Sequence, residues 1–259
     1  METSIHPTAI IAKGAELGAR VNIGPYAIVG SKVRLGDDVQ VFGHAMVSAR
    51  STIGARTQIW PYAHIGTNPQ DLKYRGEDTE LVCGEDNVFR EYVNISIGTD
   101  GGGGKTQIGS KNLLMVNTHI AHDCLVGDHC IFANAVSLAG HVEVESRAVV
   151  GGHVAIHQFV KIGYLAMLAG GSIVVQDVPP FVLVQGDRAK PAGLNKVGLD
   201  RSTSSEDAIK RIKAIYKLLF QMSLTVDEAK EQIQTRYAGT DEAKLFLDFL
   251  QKSRRGLCR

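Results

Sequence analysis

Apolar residues recur at every sixth position along most of this chain. One register runs Ile5, Ile11, Leu17, Ile23, Val29, Leu35, Val41, Val47, Ile53, Ile59, Ile65 and resumes at Cys83, Phe89 and Ile95. A second runs Ile108, Leu114, Ile120, Val126, Phe132, Leu138, Val144, Val150, Ile156, Ile162, Leu168, Val174. Helical side chains repeat every ~3.6 residues and strand side chains every ~2, so neither element alone explains the spacing. A period of six belongs to a parallel β-helix in which each rung is a short strand and a turn. Four residues after each apolar position stands a small one, as at Ala9, Ala15, Ala27, Cys124, Cys130 and Ala148. Each rung therefore sends one large and one small side chain into a narrow core. Glycine often follows the apolar residue, as at Gly18, Gly24, Gly36, Gly54, Gly109 and Gly127, and is expected to relieve a tight corner by adopting positive φ. Three rungs make one triangular coil, so residues 18 apart are expected to stack about 4.8 Å apart. Prisms of this kind coil left-handed, an exception to the right-handed crossover.

The pattern predicts a β-solenoid: a left-handed parallel β-helix of hexapeptide repeats over residues 1–180, followed by a small C-terminal α-helical domain over 202–259. Residues 181–201 read as a linker. Two excursions interrupt the prism, at 67–82 and 98–106, and long loops on a rigid scaffold usually carry function. The run Gly101-Gly102-Gly103-Gly104 reads as a flexible surface loop rather than a phosphate cradle, because no strand-to-helix context surrounds it. Pro179-Pro180 is expected to end the ladder. Thr203-Ser204-Ser205-Glu206 reads as a capping box before the stripe Ala208, Ile209, Ile212, Ile215, Tyr216 and Leu219. Thr225-Val226-Asp227-Glu228 opens a second helix, and Thr240 precedes a third through Leu245, Phe246, Phe249 and Leu250. The basic ending Arg254 to Arg259 reads as a short solvated tail.

Composition narrows the classes. An apolar fraction of 44% supports a large core and one or two domains. A net charge of +1 makes no case for nucleic acid or a membrane surface as an electrostatic partner. No apolar segment is long enough to span a bilayer, and the repeat is entered by Ile5 with no signal peptide expected. Four cysteines without a disulfide framework or a Cys-x-x-Cys pair point to a reducing cytoplasm.

The densest polar cluster is Asn117-Thr118-His119-Ile120-Ala121-His122-Asp123-Cys124. Adding 18 to His122 gives Gly140, beside His141, and adding 18 again gives Gln158, beside His157. One wall thus gathers His122, Asp123, Gly140, His141, His157 and Gln158. A neutral histidine can serve as a base near neutral pH. An adjacent Asp123 would orient the ring and stabilise the imidazolium, and a glycine one coil away leaves its N–H open to an oxyanion. Base, orienter and oxyanion donor suit direct acyl transfer to a hydroxyl or amine, and no serine nucleophile is evident. A zinc site is the competing reading, and needs a third ligand beside His119 and His122 from another coil or subunit.

Four strings narrow the reading: Asn68-Pro69-Gln70-Asp71-Leu72-Lys73-Tyr74, the His119 to Cys124 run, Ala155-Ile156-His157-Gln158-Phe159, and Gln176-Asp177-Val178-Pro179-Pro180. With the helical tail, they resemble UDP-N-acetylglucosamine 3-O-acyltransferases of lipid A biosynthesis over essentially the whole chain. The resemblance implies a homotrimer with active sites in clefts between neighbouring prisms. It implies transfer of an (R)-3-hydroxyacyl group from acyl carrier protein to the 3-position of UDP-N-acetylglucosamine, without metal or other cofactor. It makes His122 the general base, Asp123 its partner and Gly140 the oxyanion donor. Asp71, Lys73, His119, His141 and Gln158 would bind sugar and acyl groups, with Gln70 and His157 nearby. Asn195 and Arg201 would hold the nucleotide, and Gly170 would leave the acyl floor open for a longer chain. Arg188, Lys190, Lys196 and Arg201 are candidate docking charges for the carrier protein. The chain departs from the family pattern at Val197, at Ser202, at Arg188 near the acyl terminus, and at Ser96-Ile97. A 3-amino acceptor and the pathway's later N-acyltransferase are the nearby alternatives, though the latter carries an extra N-terminal uridine-binding domain. A non-enzymatic solenoid scaffold is the alternative of another class, and would show a flat repeated polar face.

Overall fold

Each rung folds as a two-residue strand and a tight turn, as at Asn22–Ile23, Ile28–Val29 and Arg34–Leu35. The structure, a computed structural model, describes residues 2–202 and 205–259. Successive rungs visit three sheets of 11, 9 and 8 strands in turn among the described residues, parallel throughout except for the last strand of the first, giving a left-handed parallel β-helix. The second residue of each two-residue strand takes the inward position: Ile5 pairs with Ile23, Ile23 with Val41 and Val41 with Ile59, each pair 18 residues apart. Val41, Ile59, Phe89, Leu114, Phe132 and Val150 are fully buried in the resulting column. Cys83, Cys124, Cys130 and Cys258 are buried free thiols, and burial pushes the Cys124 and Cys130 thiols up to about 12.

The glycines do a different job from the one expected. Positive φ falls three residues after the inward apolar residue, on Arg20, Tyr26, Asp38, His44, Arg56 and Tyr62. Gly24, Gly36 and Gly54, directly after it, have ordinary φ. They are glycine because a Cβ would strike the next coil: 2.7 Å from the Gly43 nitrogen, 2.8 Å from the Ala55 nitrogen and 2.4 Å from the Gly84 carbonyl carbon respectively. Coil spacing, not turn conformation, sets the requirement.

Both excursions are shorter than expected. Glu80–Cys83 and Lys105–Ile108 are four-residue strands that pair with one another, and Glu80–Cys83 also pairs with Arg50–Ile53 of the coil below, because buried Leu81 and Thr106 already occupy the second inward position of the repeat, two residues before Cys83 and Ile108. The insertions raise the spacing of paired residues from 18 to 30 at His64 and Asn94, and to 25 at Asn94 and His119. Pro179-Pro180 does not end the ladder. It fills a turn, after which Leu183 and Val184 pair with Met167 and Leu168, and Lys190–Leu194 returns antiparallel. Buried Val182 and Val184 restore the inward alternation that the prolines interrupt.

Helix α1 (Lys196–Arg201) follows, capped by the Asn195 side chain. Helices α2 (Glu206–Phe220), α3 (Val226–Tyr237) and α4 (Asp241–Lys252) form the C-terminal bundle. The N-cap of α2 is Ser205, whose hydroxyl accepts the Ala208 N–H; Thr203 and Ser204, where the expected box begins, lie outside the described residues. The box at Thr225 and Glu228 and the cap at Thr240 form as expected. Ile212, Ile215, Leu219, Ile233, Phe246 and Phe249 make the bundle core, which reaches the prism through Leu165 and Phe181.

The basic ending is not a solvated tail. Buried Asp177 at the last rung accepts hydrogen bonds from the Lys161 N–H (2.8 Å), the Ser253 hydroxyl (2.7 Å), and the Arg254 (3.0 Å) and Arg255 (3.2 Å) N–H groups. Backbone bonds Asp177 N–H to the Gly256 carbonyl and Cys258 N–H to the Asp177 carbonyl complete the latch, with Leu257 and Cys258 buried behind it.

Candidate active site

His122 and Asp123 stand at the corner between the nine- and eight-stranded sheets, in the turn joining His119–Ile120 to Leu125–Val126. Buried Ile120 and Cys124 anchor the turn on both sides, and Asp123 takes the left-handed conformation at φ 60° that recurs at this rung position. The His122 Nδ1–H donates to Asp123 Oδ2 at 2.7 Å. That partner assigns the proton to Nδ1 and leaves Nε2 as the free lone pair. Gly140 lies in the next coil directly against the ring: a Cβ there would sit 2.6 Å from His122 Cε1 and 2.8 Å from Nε2. Among the described residues the Gly140 N–H has no hydrogen-bond acceptor.

Asp123 is 5% exposed and is held from several directions. Oδ1 accepts the Thr99 N–H at 2.8 Å, Oδ2 accepts the Thr99 hydroxyl at 2.6 Å, and its own N–H donates to Thr106 Oγ1 at 2.8 Å. His141, stacked on Phe159 with ring centroids 4.4 Å apart, brings Nε2 to 3.7 Å from Asp123 Oδ2 and meets His122 edge-on. Burial lowers the His141 pKa, opposed by Asp123. His119 Nδ1 lies 3.0 Å from Asn94 Oδ1, and burial together with nearby His122 lowers its pKa too. In both rings burial disfavours the charged form.

The glycine run is not a free surface loop. Asp100–Gly102 forms a 3₁₀ turn capped by Thr99 and packs over Asp123, where a Cβ on Gly102 would lie 2.0 Å from Asp123 Cγ. Thr99 and Phe159 escape the sequence reading. Phe159 could have been found by adding 18 to His141, whereas Thr99 lies on an insertion that the period does not index.

The structure brings His122, Asp123, Gly140 and His141 together. Gln158 and His157 lie one coil further along, exposed, with His157 Nδ1 3.1 Å from the Gln158 carbonyl oxygen. On the first excursion the Lys73 N–H donates to Asp71 Oδ1 at 2.9 Å, Gln70 and Lys73 are exposed, and the Asp71 charge pulls the His141 pKa weakly upward. Gly170 stands at a different corner, between the eleven- and nine-stranded sheets, and Arg188 is exposed on the turn between Val182–Gln185 and Lys190–Leu194. Neither meets His122 within one chain. Asn195 and Arg201 line a separate cleft of about 720 Å³ with His129, Arg147 and Lys196. The Asn195 amide is already engaged, accepting from the Gly198 N–H and donating to the Leu165 carbonyl, each at 2.9 Å.

His122, Asp123 and His141 present ligand atoms within 4.8 Å of one another, a grouping able to hold a cation. The Asp123 oxygens, however, already take two donors from Thr99 and one from His122, and His119, expected as a ligand, is not part of the grouping and turns its Nδ1 to Asn94. A cation would have to displace these bonds, so the donor set suits a polarised histidine better than a metal.

Residues 177–258 match the family described as Udp N-acetylglucosamine O-acyltransferase, domain 2. The acyl-(acyl-carrier-protein)-UDP-N-acetylglucosamine O-acyltransferase of Anaeromyxobacter dehalogenans is 52% identical over 256 residues, 99% of this chain and 100% of that one. The protein of the same name from Myxococcus xanthus is 46% identical over 98% of this chain and 99% of its own. Among solved structures, UDP-N-acetylglucosamine O-acyltransferase from Moraxella catarrhalis superposes with a TM-score of 0.97 at 42% identity, covering 98% of this chain and 99% of that one.

Proposed function

The chain belongs to the acyl-(acyl-carrier-protein)-UDP-N-acetylglucosamine O-acyltransferase family, and from that premise we propose that it transfers an (R)-3-hydroxyacyl chain from acyl carrier protein to the 3-hydroxyl of UDP-N-acetylglucosamine, the opening step of lipid A biosynthesis, with His122 as general base. The observation that carries this reading is the 2.7 Å bond from His122 Nδ1 to buried Asp123, which leaves Nε2 as acceptor beside the unpartnered Gly140 N–H. Nε2 takes the proton of the sugar 3-hydroxyl as its oxygen attacks the thioester carbonyl. Asp123 stabilises the imidazolium, and the Gly140 N–H receives the oxyanion. Collapse breaks the C–S bond, and the imidazolium returns its proton to the departing thiolate. A positioned base of this kind contributes about 10²–10⁴-fold, and an oxyanion donor about 10²–10³-fold.

In this reading Asp71, Lys73, His119, His141 and Gln158, with Gln70 and His157, bind sugar and acyl groups, and Asn195 and Arg201 the nucleotide. Gly170 opens the acyl floor, with Arg188 near its end. The active unit is a homotrimer in the cytoplasm. Support for sharing the site between copies is that the His122 and Gly170 corners flank the same nine-stranded sheet, whose outer face leaves Ile10 and Ile173 exposed.

The test is His122→Ala, purified as a folded oligomer and assayed for acyl transfer from the carrier protein to the UDP-sugar. A loss of kcat of about 10³-fold is expected. Near-wild-type transfer overturns the mechanism.

A further inference from the structure

The second excursion leaves the prism at Ile97, returns at Lys105, and grips a single residue on the way. Thr99 gives Asp123 two donors, its N–H to Oδ1 at 2.8 Å and its hydroxyl to Oδ2 at 2.6 Å. The same hydroxyl accepts the Gly102 N–H at 3.1 Å, which leaves its own proton for the carboxylate. The Thr106 hydroxyl, where the excursion rejoins the ladder, takes the Asp123 N–H at 2.8 Å. Thr99 and Thr106 are both buried. Gly102 closes over the carboxylate so tightly that a Cβ there would overlap it, 2.0 Å from Cγ and 2.2 Å from Oδ2.

Two histidines face this one carboxylate, His122 at 2.7 Å and His141 at 3.7 Å, both on Oδ2. The terminal torsion of an aspartate is soft and roughly two-fold, so the carboxylate plane does not hold itself. A fork of two donors along one edge fixes that plane. We propose that Thr99 is a positioning residue: by chelating Asp123 it commits the carboxylate to His122 rather than His141, and so keeps the His122 Nε2 lone pair aimed at the acceptor. This rests on the reading of His122 as base. The glycine run then has a specific reason, since only glycine at 102 lets the excursion close over Asp123 while donating its N–H to Thr99.

The experiment compares Thr99→Val, Thr99→Ser and His122→Ala, with Thr99→Val also made in the His122→Ala background, all checked for oligomeric state and melting temperature. Valine keeps the shape and removes the hydroxyl; serine keeps the hydroxyl. Thr99→Val is expected to lower kcat 10- to 100-fold with KM for the UDP-sugar unchanged, Thr99→Ser to stay within threefold of wild type, and Thr99→Val to have no further effect without His122. Near-wild-type kcat for folded Thr99→Val beside an inactive His122→Ala overturns the positioning role alone, as does an equal loss in the His122→Ala background. Activity retained by His122→Ala overturns the base reading itself. If Thr99→Val does not fold, Gly102→Ala, which presses on Asp123 with Thr99 intact, is read in its place: a kcat loss at constant KM supports the clamp, and wild-type kcat overturns it.

Discussion

Gly140→Ala separates position from chemistry at this site. The added methyl would stand 2.6 Å from His122 Cε1, 2.8 Å from Nε2 and 3.2 Å from Nδ1. Carbon contacts settle at about 3.5–4.0 Å, so the imidazole must retreat by about 1 Å along its face. A displacement of that size at a reacting group costs about 10²-fold in rate, equivalent to about 2.7 kcal/mol of transition-state stabilisation. The stability cost should be confined to this one overpacked contact, about 1–3 kcal/mol. Gly140 has no positive φ, so alanine meets no backbone strain, and the stiffer unfolded chain returns about 0.4–1 kcal/mol. The backbone N–H survives the substitution, so any loss reflects the ring rather than removal of a donor. Initial rates at saturating carrier-linked acyl donor and UDP-N-acetylglucosamine, beside thermal melts, give the answer. A folded variant with kcat within threefold of wild type would refute the account of His122 held against Gly140.

Two further outcomes are expected elsewhere. Asp177→Ala removes the acceptor of four donors and leaves the Ser253 to Arg255 segment unlatched, destabilising the protein by about 3–5 kcal/mol in urea unfolding; a change under 1 kcal/mol would remove the latch from the account. Gly170→Met places a long side chain where a Cβ meets only Gly152, at 3.3 Å from its carbonyl oxygen, so it projects outward from the corner. Product mass spectrometry from a mixed acyl donor pool should shift toward shorter chains, and an unchanged profile counts against Gly170 as the acyl floor.

The prism was legible because its one rule, an inward apolar residue every six positions, is enforced at each coil by the same packing. The rule carried His122 to Gly140 and His141 by addition alone. It misjudged the glycines, because steric pressure between coils leaves the same mark in sequence as a strained turn would. It also stopped too soon at Pro179-Pro180, since the inward alternation of Val182 and Val184 resumes outside the period. The support of the site was hidden for a related reason. Thr99 reaches Asp123 across 24 residues of chain, a separation set by the insertion and not by any repeat. Asp177 showed only as part of a recognisable string, and its purpose appears when the C-terminal residues fold back onto it.

The irregular spacings also bear on how the chain acquires its shape. In most of the prism every new coil closes a contact of 18 residues on the one before it, so assembly can proceed like a zipper with nearly equal steps. At the two insertions the closing loop lengthens to 30 and then 25 residues. By the logarithmic cost of loop closure the longer step is about 0.5 kcal/mol harder than its neighbours. The coils around His119, His122 and Asp123 thus form the seam where a growing zipper pauses, with regular coils able to nucleate on either side.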